Sequence, residues 1–262
     1  MRVCNLSSGS DGNCTYVETD NVKVLVDIGI SASETVKRLR VLGVDAKDID
    51  AILISHEHSD HIKGLDVFAS KYKTKVYVHS QGVGAVYTKM KKLSAKQIYS
   101  FDDMPFTIGD LNVDTVCLPH DAVHCSGFIL SCNKRKISII TDLGHTNDVI
   151  LNKISGSSLV YLESNHDVEM LKNNPNYPYK LKIRILGKLG HLSNLDCAKA
   201  IEFLAKTGTK QIMLSHISRH NNTQSLAYTS VCKYLASVGI VEGRDIKIST
   251  TSINMSTIFK LN

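Results

Sequence analysis

Short apolar, β-branched runs recur along the chain, and several stop at a residue with a reactive side chain. They are Lys23–Asp27 (KVLVD), Ala51–Ser55 (AILIS), Lys75–His79 (KVYVH), Leu111–Leu118, Gly127–Cys132, Lys136–Asp142 (KISIITD), Leu159–Ser164 and Gln211–His216. Runs of about four to eight such residues predict strands, and those apolar at consecutive positions predict strands buried on both faces. Helix-period stretches alternate with them. Ser33–Leu42 stops at Gly43, and Leu65–Tyr72 follows the second run. Leu195–Lys206 puts Leu195, Ala198, Ile201 and Ala205 on one stripe before Gly208. Gln224–Val238 does the same with Ala227, Val231, Tyr234, Leu235 and Val238 before Gly239. Glycine just past the last periodic residue is a helix stop. The pattern predicts sheet layers with helices packed outside them.

Four prolines, no repeat and no Gly/Ser-rich linker predict a single domain over residues 1–262. With 43% hydrophobic and 21% charged residues, the chain is neither disordered nor a small disulfide-stapled scaffold. No apolar run approaches the roughly 18 residues of a membrane span. The first residues, MRVCNLSSGSDGN, lack a signal-peptide apolar region. Seven cysteines, none in a CxxC pair, predict reduced thiols in a cytoplasmic protein. The net charge of +6 is mild, but its distribution is uneven. Residues 62–97 hold eight lysines and one aspartate, a local +7, and Lys180, Lys182, Arg184 and Lys188 form a second basic stretch. Such stretches are either solvated faces or polyanion-binding surfaces.

The densest chemistry is Ser55-His56-Glu57-His58-Ser59-Asp60-His61, directly after an apolar run. Three histidines and an aspartate so closely spaced can converge on more than one metal ion. Imidazole and carboxylate ligands suit Zn, Mn or Fe. Glu57, alternating in direction with its neighbours, is expected to point away. There is no GxSxG motif.

This HxHxDH motif resembles that of the metallo-β-lactamase superfamily, and four further landmarks follow the superfamily's order. They are Asp27-Ile28-Gly29, His120 in Leu118-Pro119-His120-Asp121-Ala122, Asp142-Leu143-Gly144, and His216 ending QIMLSH. The resemblance implies a four-layered αβ/βα sandwich with two divalent metal ions at the strand ends. It implies that His56, His58 and His120 hold one ion and that Asp60, His61 and His216 hold the other. Asp142 would bridge them beside a shared hydroxide, and Asp27 would orient ligands from behind. Asp60, Asp142 and His191 are the expected catalytic residues.

The bridging position is aspartate, whereas β-lactamases proper typically carry Cys or Ser there. Five local segments are similar to the WalJ/YycJ-type bacterial 5′→3′ exonucleases. They are GSDGN at 9–13, His120-Asp121-Ala122, ESNHD at 163–167, GHLSN at 190–194, and LSHISRHNN at 214–222. The resemblance implies an exonuclease acting on double-stranded DNA. Two departures lie near the expected metals: no proline follows Ala122 before Gly127, and His145 follows the fourth motif. The 74-residue spacing from Asp142 to His216 leaves no room for the inserted domain of ribonuclease J-like enzymes.

His191, just before a helix, is expected to contact the scissile phosphate or protonate the leaving oxygen. Ser8, Asn13, His166 and Ser193 are expected substrate contacts. Ser193 has the alternative of capping the helix, and the 9–13 loop of being a plain turn. Two rival functions remain at this level. One is a small-molecule hydrolase, such as a thioesterase or cyclic-nucleotide phosphodiesterase; the other is a non-catalytic nucleic-acid binder.

Overall fold

The computed structural model describes residues 1–251, 254–255 and 259–261. The described residues form two seven-stranded sheets packed face to face. The first contains β1 (Arg2–Ser7), β2 (Cys14–Glu18), β3 (Lys23–Val26), β4 (Ala51–Ile54), β5 (Lys75–His79) and β6 (Ile98–Phe101). The second contains β7 (Phe106–Ile108), β8 (Leu111–Cys117), β9 (Ser126–Cys132), β10 (Arg135–Ile140), β11 (Leu159–Glu163), β12 (Gln211–Ser215) and β13 (Lys247–Thr250). A two-residue strand, β14 (Phe259–Lys260), adds to the edge of the first sheet beside β1. In each sheet an antiparallel half leads into a parallel half. Strands β1 to β3 are antiparallel and β3 to β6 parallel; β7 to β10 are antiparallel and β10 to β13 parallel.

Period-two alternation explains the layering. Val24, Val26, Ala51 and Leu53 point between the sheets, where they meet Leu130, Ile137, Ile139 and Tyr161. Leu25, Ile52 and Ile54 point the other way, onto helices α1 (Ala32–Val41) and α3 (Leu65–Tyr72) through Leu39, Leu65 and Phe68. A short helix, α2 (Ser59–Ile62), lies between β4 and α3, and α4 (Val83–Tyr87) follows β5. On the outer face of the second sheet, Ile140, Val160, Leu162 and Leu214 pack against α5 (Asp148–Ile154), α8 (Asn194–Lys206) and α9 (Gln224–Ser237). Helices α6 (Val168–Asn173) and α7 (Tyr179–Leu186) form a hairpin between β11 and α8. The four layers are therefore helix, sheet, sheet, helix, with both faces of the central strands buried.

The predicted runs fall on strands and the predicted stripes on helices, with two systematic differences. Asp27, Ser55, Asp142 and His216 stand just beyond their strands. Strands β1, β2, β6, β7 and β13 and helices α5, α6 and α7 form where the periodic pattern was too short or too mixed to predict them. Four of the parallel strands, β3, β4, β10 and β12, bring their carboxyl ends to one edge of the sandwich. Peptide groups there leave the ladders, which is where open α/β sheets place their ligands.

Candidate metal centre

Three of the site residues stand in the left-handed backbone region: Asp27 at φ 58°, Asp142 at φ 67° and His216 at φ 54°. That conformation is uncommon for residues with a side chain and persists where surrounding contacts hold it. Each contact is visible. The Asp27 N–H donates to the Leu53 carbonyl at 2.8 Å. The Leu143 N–H, just after Asp142, donates to Glu163 Oε2 at 3.0 Å. The His216 N–H donates to Ser8 Oγ at 2.8 Å. The chain thereby leaves each strand abruptly and turns its side chain into the space beyond the sheets. The HxHxDH segment arrives from β4, and α2 places Asp60 and His61 on a helical turn. Gly29, just after β3, lets the chain pass beneath Asp60: a Cβ there would sit 1.6 Å from the Asp60 carbonyl oxygen.

The donors collect in overlapping groups, each with its atoms within 4.8 Å of one another: His56, His58 and His120; Asp60, His61 and His216; and His56, His61 and Asp142. A fourth group joins Asp142 and His216 to Glu163 and His191. Asp142 lies between the first two, with Oδ2 3.1 Å from His61 Nε2 and Oδ1 3.8 Å from His120 Nε2. His56 Nε2 and His216 Nε2 are buried and have no hydrogen-bond partner. A buried polar atom left unpaired is costly, and a cation satisfies both of these nitrogens. The donor set of imidazoles and carboxylates thus fits divalent metal binding.

Two buried carboxylates aim the rings. Asp27 Oδ2 accepts from His61 Nδ1 at 2.8 Å and from the Ser55 hydroxyl at 2.8 Å. Ser55 Oγ in turn lies 3.0 Å from His56 Nδ1, so one carboxylate steadies a ring in each donor group. Glu163, fully buried, accepts from His216 Nδ1 at 2.6 Å and from His191 Nδ1 at 2.8 Å through the same oxygen. Its second oxygen accepts from the Leu143 and Leu192 N–H groups. With Nδ1 occupied, each ring turns Nε2 outward, the usual arrangement behind a metal-binding histidine.

Titration follows from this packing. Burial raises the Asp142 carboxyl, but the His216 and His61 charges outweigh it and hold the group well below the carboxylate range. Burial likewise opposes charge on His61 and His216, yet Asp142 and the partner carboxylates lift both well above the ordinary imidazole value. His56 moves the other way, pushed down by burial and by the neighbouring His61. Glu163 is held at about 2: its burial penalty is overcome by His191 and His216.

The remaining expected residues divide. Asn13 Nδ2 lies 3.1 Å from His61 Nε2, at the edge of the centre. Ser8 sits behind it, bonded to the His216 backbone. His191 lines the cleft beside Asp60, Asp142 and His216. Two expected substrate contacts are not among the residues that line the cleft. Ser193 caps α8, accepting from the Asp196 N–H and donating to the Asp196 carboxylate, so its hydroxyl is already engaged. His166 is only 1% exposed and lies off the cleft wall, because its backbone pairs with Ser193 beneath the surface. Glu57 does turn away, accepting from the Val123 N–H. Glu163 was missed. It ends an apolar strand, LVYLE, as Asp27 and Asp142 nearly end theirs, and that was the available signal.

The cleft above the centre has a volume of about 200 Å³, and Tyr177, Leu181, Arg184 and Ile185 of the α6–α7 hairpin form one wall. Arg184 is anchored by an ion pair with Asp121, the residue after His120.

A family model described as a beta-lactamase superfamily domain matches residues 23–217. The chain is 39% identical to Exodeoxyribonuclease YycJ of Bacillus anthracis over 254 residues, covering 96% of each chain. It is 35% identical to Exodeoxyribonuclease WalJ of Streptococcus pneumoniae, covering 96% of this chain and 94% of that one. Among solved structures, the metallo-β-lactamase fold protein YhfI of Bacillus subtilis superposes with a TM-score of 0.73 at 14% identity, covering 99% of both chains.

Two predictions follow from the geometry. Glu163→Gln keeps the shape but withdraws the charge that holds His216 and His191, and should weaken metal affinity about 10- to 100-fold; unchanged affinity by calorimetric titration would refute this. Raised imidazole pKa values mean that a cation entering at Asp60, His61 and His216 must displace protons, whereas His56 is already deprotonated. Lowering the pH from about 8 to about 6 should therefore weaken uptake there more than at His56, His58 and His120. Equal pH dependence of successive Zn²⁺ binding events would contradict the assignment.

Proposed function

Because the chain belongs to the β-lactamase superfamily, in the group that includes the exodeoxyribonucleases YycJ and WalJ, we propose that it is a nuclease with two divalent cations. It removes nucleotides from the 5′ end of double-stranded DNA. The observation that carries the reading is Asp142, a buried carboxylate within reach of two complete donor groups. End-to-end similarity to named exodeoxyribonucleases supports the substrate class. The 5′→3′ polarity and the duplex preference rest on the local segments at 9–13, 120–122, 163–167, 190–194 and 214–222.

In this reading His56, His58 and His120 would hold one cation and Asp60, His61 and His216 the other, with Asp142 available to both. Such a pair supplies an ionised water at neutral pH and charge to balance the phosphate oxygens. The protein's own groups do the rest. Asp27 and Glu163 keep the imidazoles in the tautomer that leaves Nε2 free. His191, fixed at Nδ1 by Glu163, presents its other nitrogen to the cleft. There it donates to a phosphate oxygen or protonates the departing 3′-oxygen. Asn13 stands at the rim beside His61.

The lysines at 63, 71, 73, 75, 89, 91, 92 and 96 are all exposed. The one acid among them, Asp66, is occupied by the N–H groups of Lys91, Lys92 and Leu93. Lys89 reaches the Glu57 carbonyl, so the Lys89 part of this basic stretch lies beside the HxHxDH segment. It is the surface we assign to the duplex backbone, and binding through it weakens steeply as salt rises. Seven cysteines with no CxxC pair among them support a cytoplasmic setting.

The test supplies Mn²⁺ or Zn²⁺ and offers 5′- and 3′-labelled duplex and single-stranded DNA, RNA, a thioester and cyclic nucleotides. Progressive release of the 5′ label from duplex DNA is expected, and Asp142→Asn should abolish it. Cleavage of the thioester or cyclic nucleotide alone would overturn the reading in favour of a small-molecule hydrolase.

A further inference from the structure

After α7 the chain makes a tight turn at residues 187–190, closed by the Gly190 N–H donating to the Gly187 carbonyl at 2.9 Å. Three successive carbonyls of this turn accept hydrogen bonds from the two segments that bear His120 and Asp142. The Lys188 carbonyl accepts from His145 Nδ1 at 3.0 Å. The Leu189 carbonyl accepts from the Asp121 N–H at 3.1 Å. The Gly190 carbonyl accepts from His120 Nδ1 at 3.1 Å. The next residue, His191, lines the cleft. One turn therefore holds a donor ring, the residue after it and the segment after Asp142, and it ends at the histidine that faces the cleft.

The fit leaves no room for a side chain at Gly144. A Cβ there would sit 2.3 Å from the Lys188 carbonyl oxygen and 2.6 Å from that of Gly187, and both are backbone atoms. Gly144 is not in the left-handed region, so its need for glycine comes from the neighbour rather than from its own conformation. Its N–H donates to the Pro119 carbonyl at 2.9 Å, which ties the same residue to the His120 segment. A histidine that binds metal through Nε2 usually gives its Nδ1 proton to a carboxylate or a carbonyl, and that partner sets the ring's direction. Asp27 and Glu163 are the partners of His61 and His216. For His120 the partner is the Gly190 carbonyl, which is only as well placed as the turn that carries it.

We propose that Gly144 and His145 are positioning residues: they seat the 187–190 turn and through it aim His120 into the group it forms with His56 and His58, and His191 into the cleft. A methyl group at 144 pushes the Lys188 carbonyl away, and the Gly190 carbonyl moves with it. His120 then loses the partner that fixes its ring, whereas His61 and His216 keep theirs on Asp27 and Glu163. The inference rests on the metal assignment for His120 and on the nuclease reading only for His191, and the experiment separates the two.

Zn²⁺ binding to the full chain is followed by calorimetric titration for the unsubstituted protein, Gly144→Ala, His145→Ala and Gly84→Ala. Gly84 has open space where a Cβ would stand and serves as the control. Gly144→Ala is expected to weaken one binding event about tenfold and to leave the other unchanged. The visible spectrum of the Co²⁺-loaded protein should change with it, which a general loss of stability does not produce. His145→Ala removes a single hydrogen bond and should weaken the same event about threefold. It decides the matter if thermal melting shows that the added methyl prevents folding. Unchanged Zn²⁺ affinity in the variants at 144 and 145 overturns the proposal. So does an equal loss in both events, which means that the whole edge has loosened, or a like loss in Gly84→Ala. Digestion of 5′-labelled duplex DNA is measured alongside, and turnover is expected to fall in Gly144→Ala because His191 moves with the turn. A selective loss of Zn²⁺ affinity in a protein that cuts no DNA even unsubstituted upholds the seating of His120 and sinks the nuclease reading instead.

Discussion

A carboxylate that stays charged while 2% exposed organises this end of the molecule. Burial disfavours the charge on Asp142, and the imidazoles around it outweigh that penalty. Those imidazoles are in turn drawn toward the protonated state by the same carboxylate. Neither set is comfortable alone: the histidines repel one another, and the acid is desolvated. Buried charges of this kind persist when paired and hydrogen-bonded, and a cation is the partner that settles both sides at once.

The fold makes this crowding possible by keeping the charges out of its core. Between the sheets the contacts are Val, Leu, Ile, Phe and Tyr, and both faces of the central strands are covered. Polar chemistry is confined to the edge where strands end and backbone groups are free. The left-handed residues Asp27, Asp142 and His216 mark the points where the chain turns out of the sheet. Their local strain is carried by tight neighbours, including the close passage of Gly29 beneath Asp60.

A hierarchy of support surrounds the donors. Asp27 reaches one donor group directly and the other through Ser55. Glu163 links His216 to His191, which faces the cleft. The proposed reaction thus depends on groups that never touch the substrate. The α6–α7 hairpin adds the outer boundary, limiting what can reach the centre.

The strand runs, the long helices and the clustered His and Asp residues were legible in order along the chain. Their signals are local: period-two alternation, period-3.6 stripes, and a reactive residue after an apolar run. Convergence is not local. Whether His120, His216 and Asp142 meet depends on sheet order and on turns such as the one at φ 67°. For the same reason the contacts of Glu163 depend on β11 lying between β10 and β12. His166 and Ser193 sit in suggestive segments, yet backbone pairing draws the first inward and helix capping occupies the second. Residue types and their spacing determined which chemistry this protein can carry. Only the packing of distant strands decided which atoms meet, because side-chain direction at a strand's end is set by the turn and the neighbour rather than by the run that precedes it.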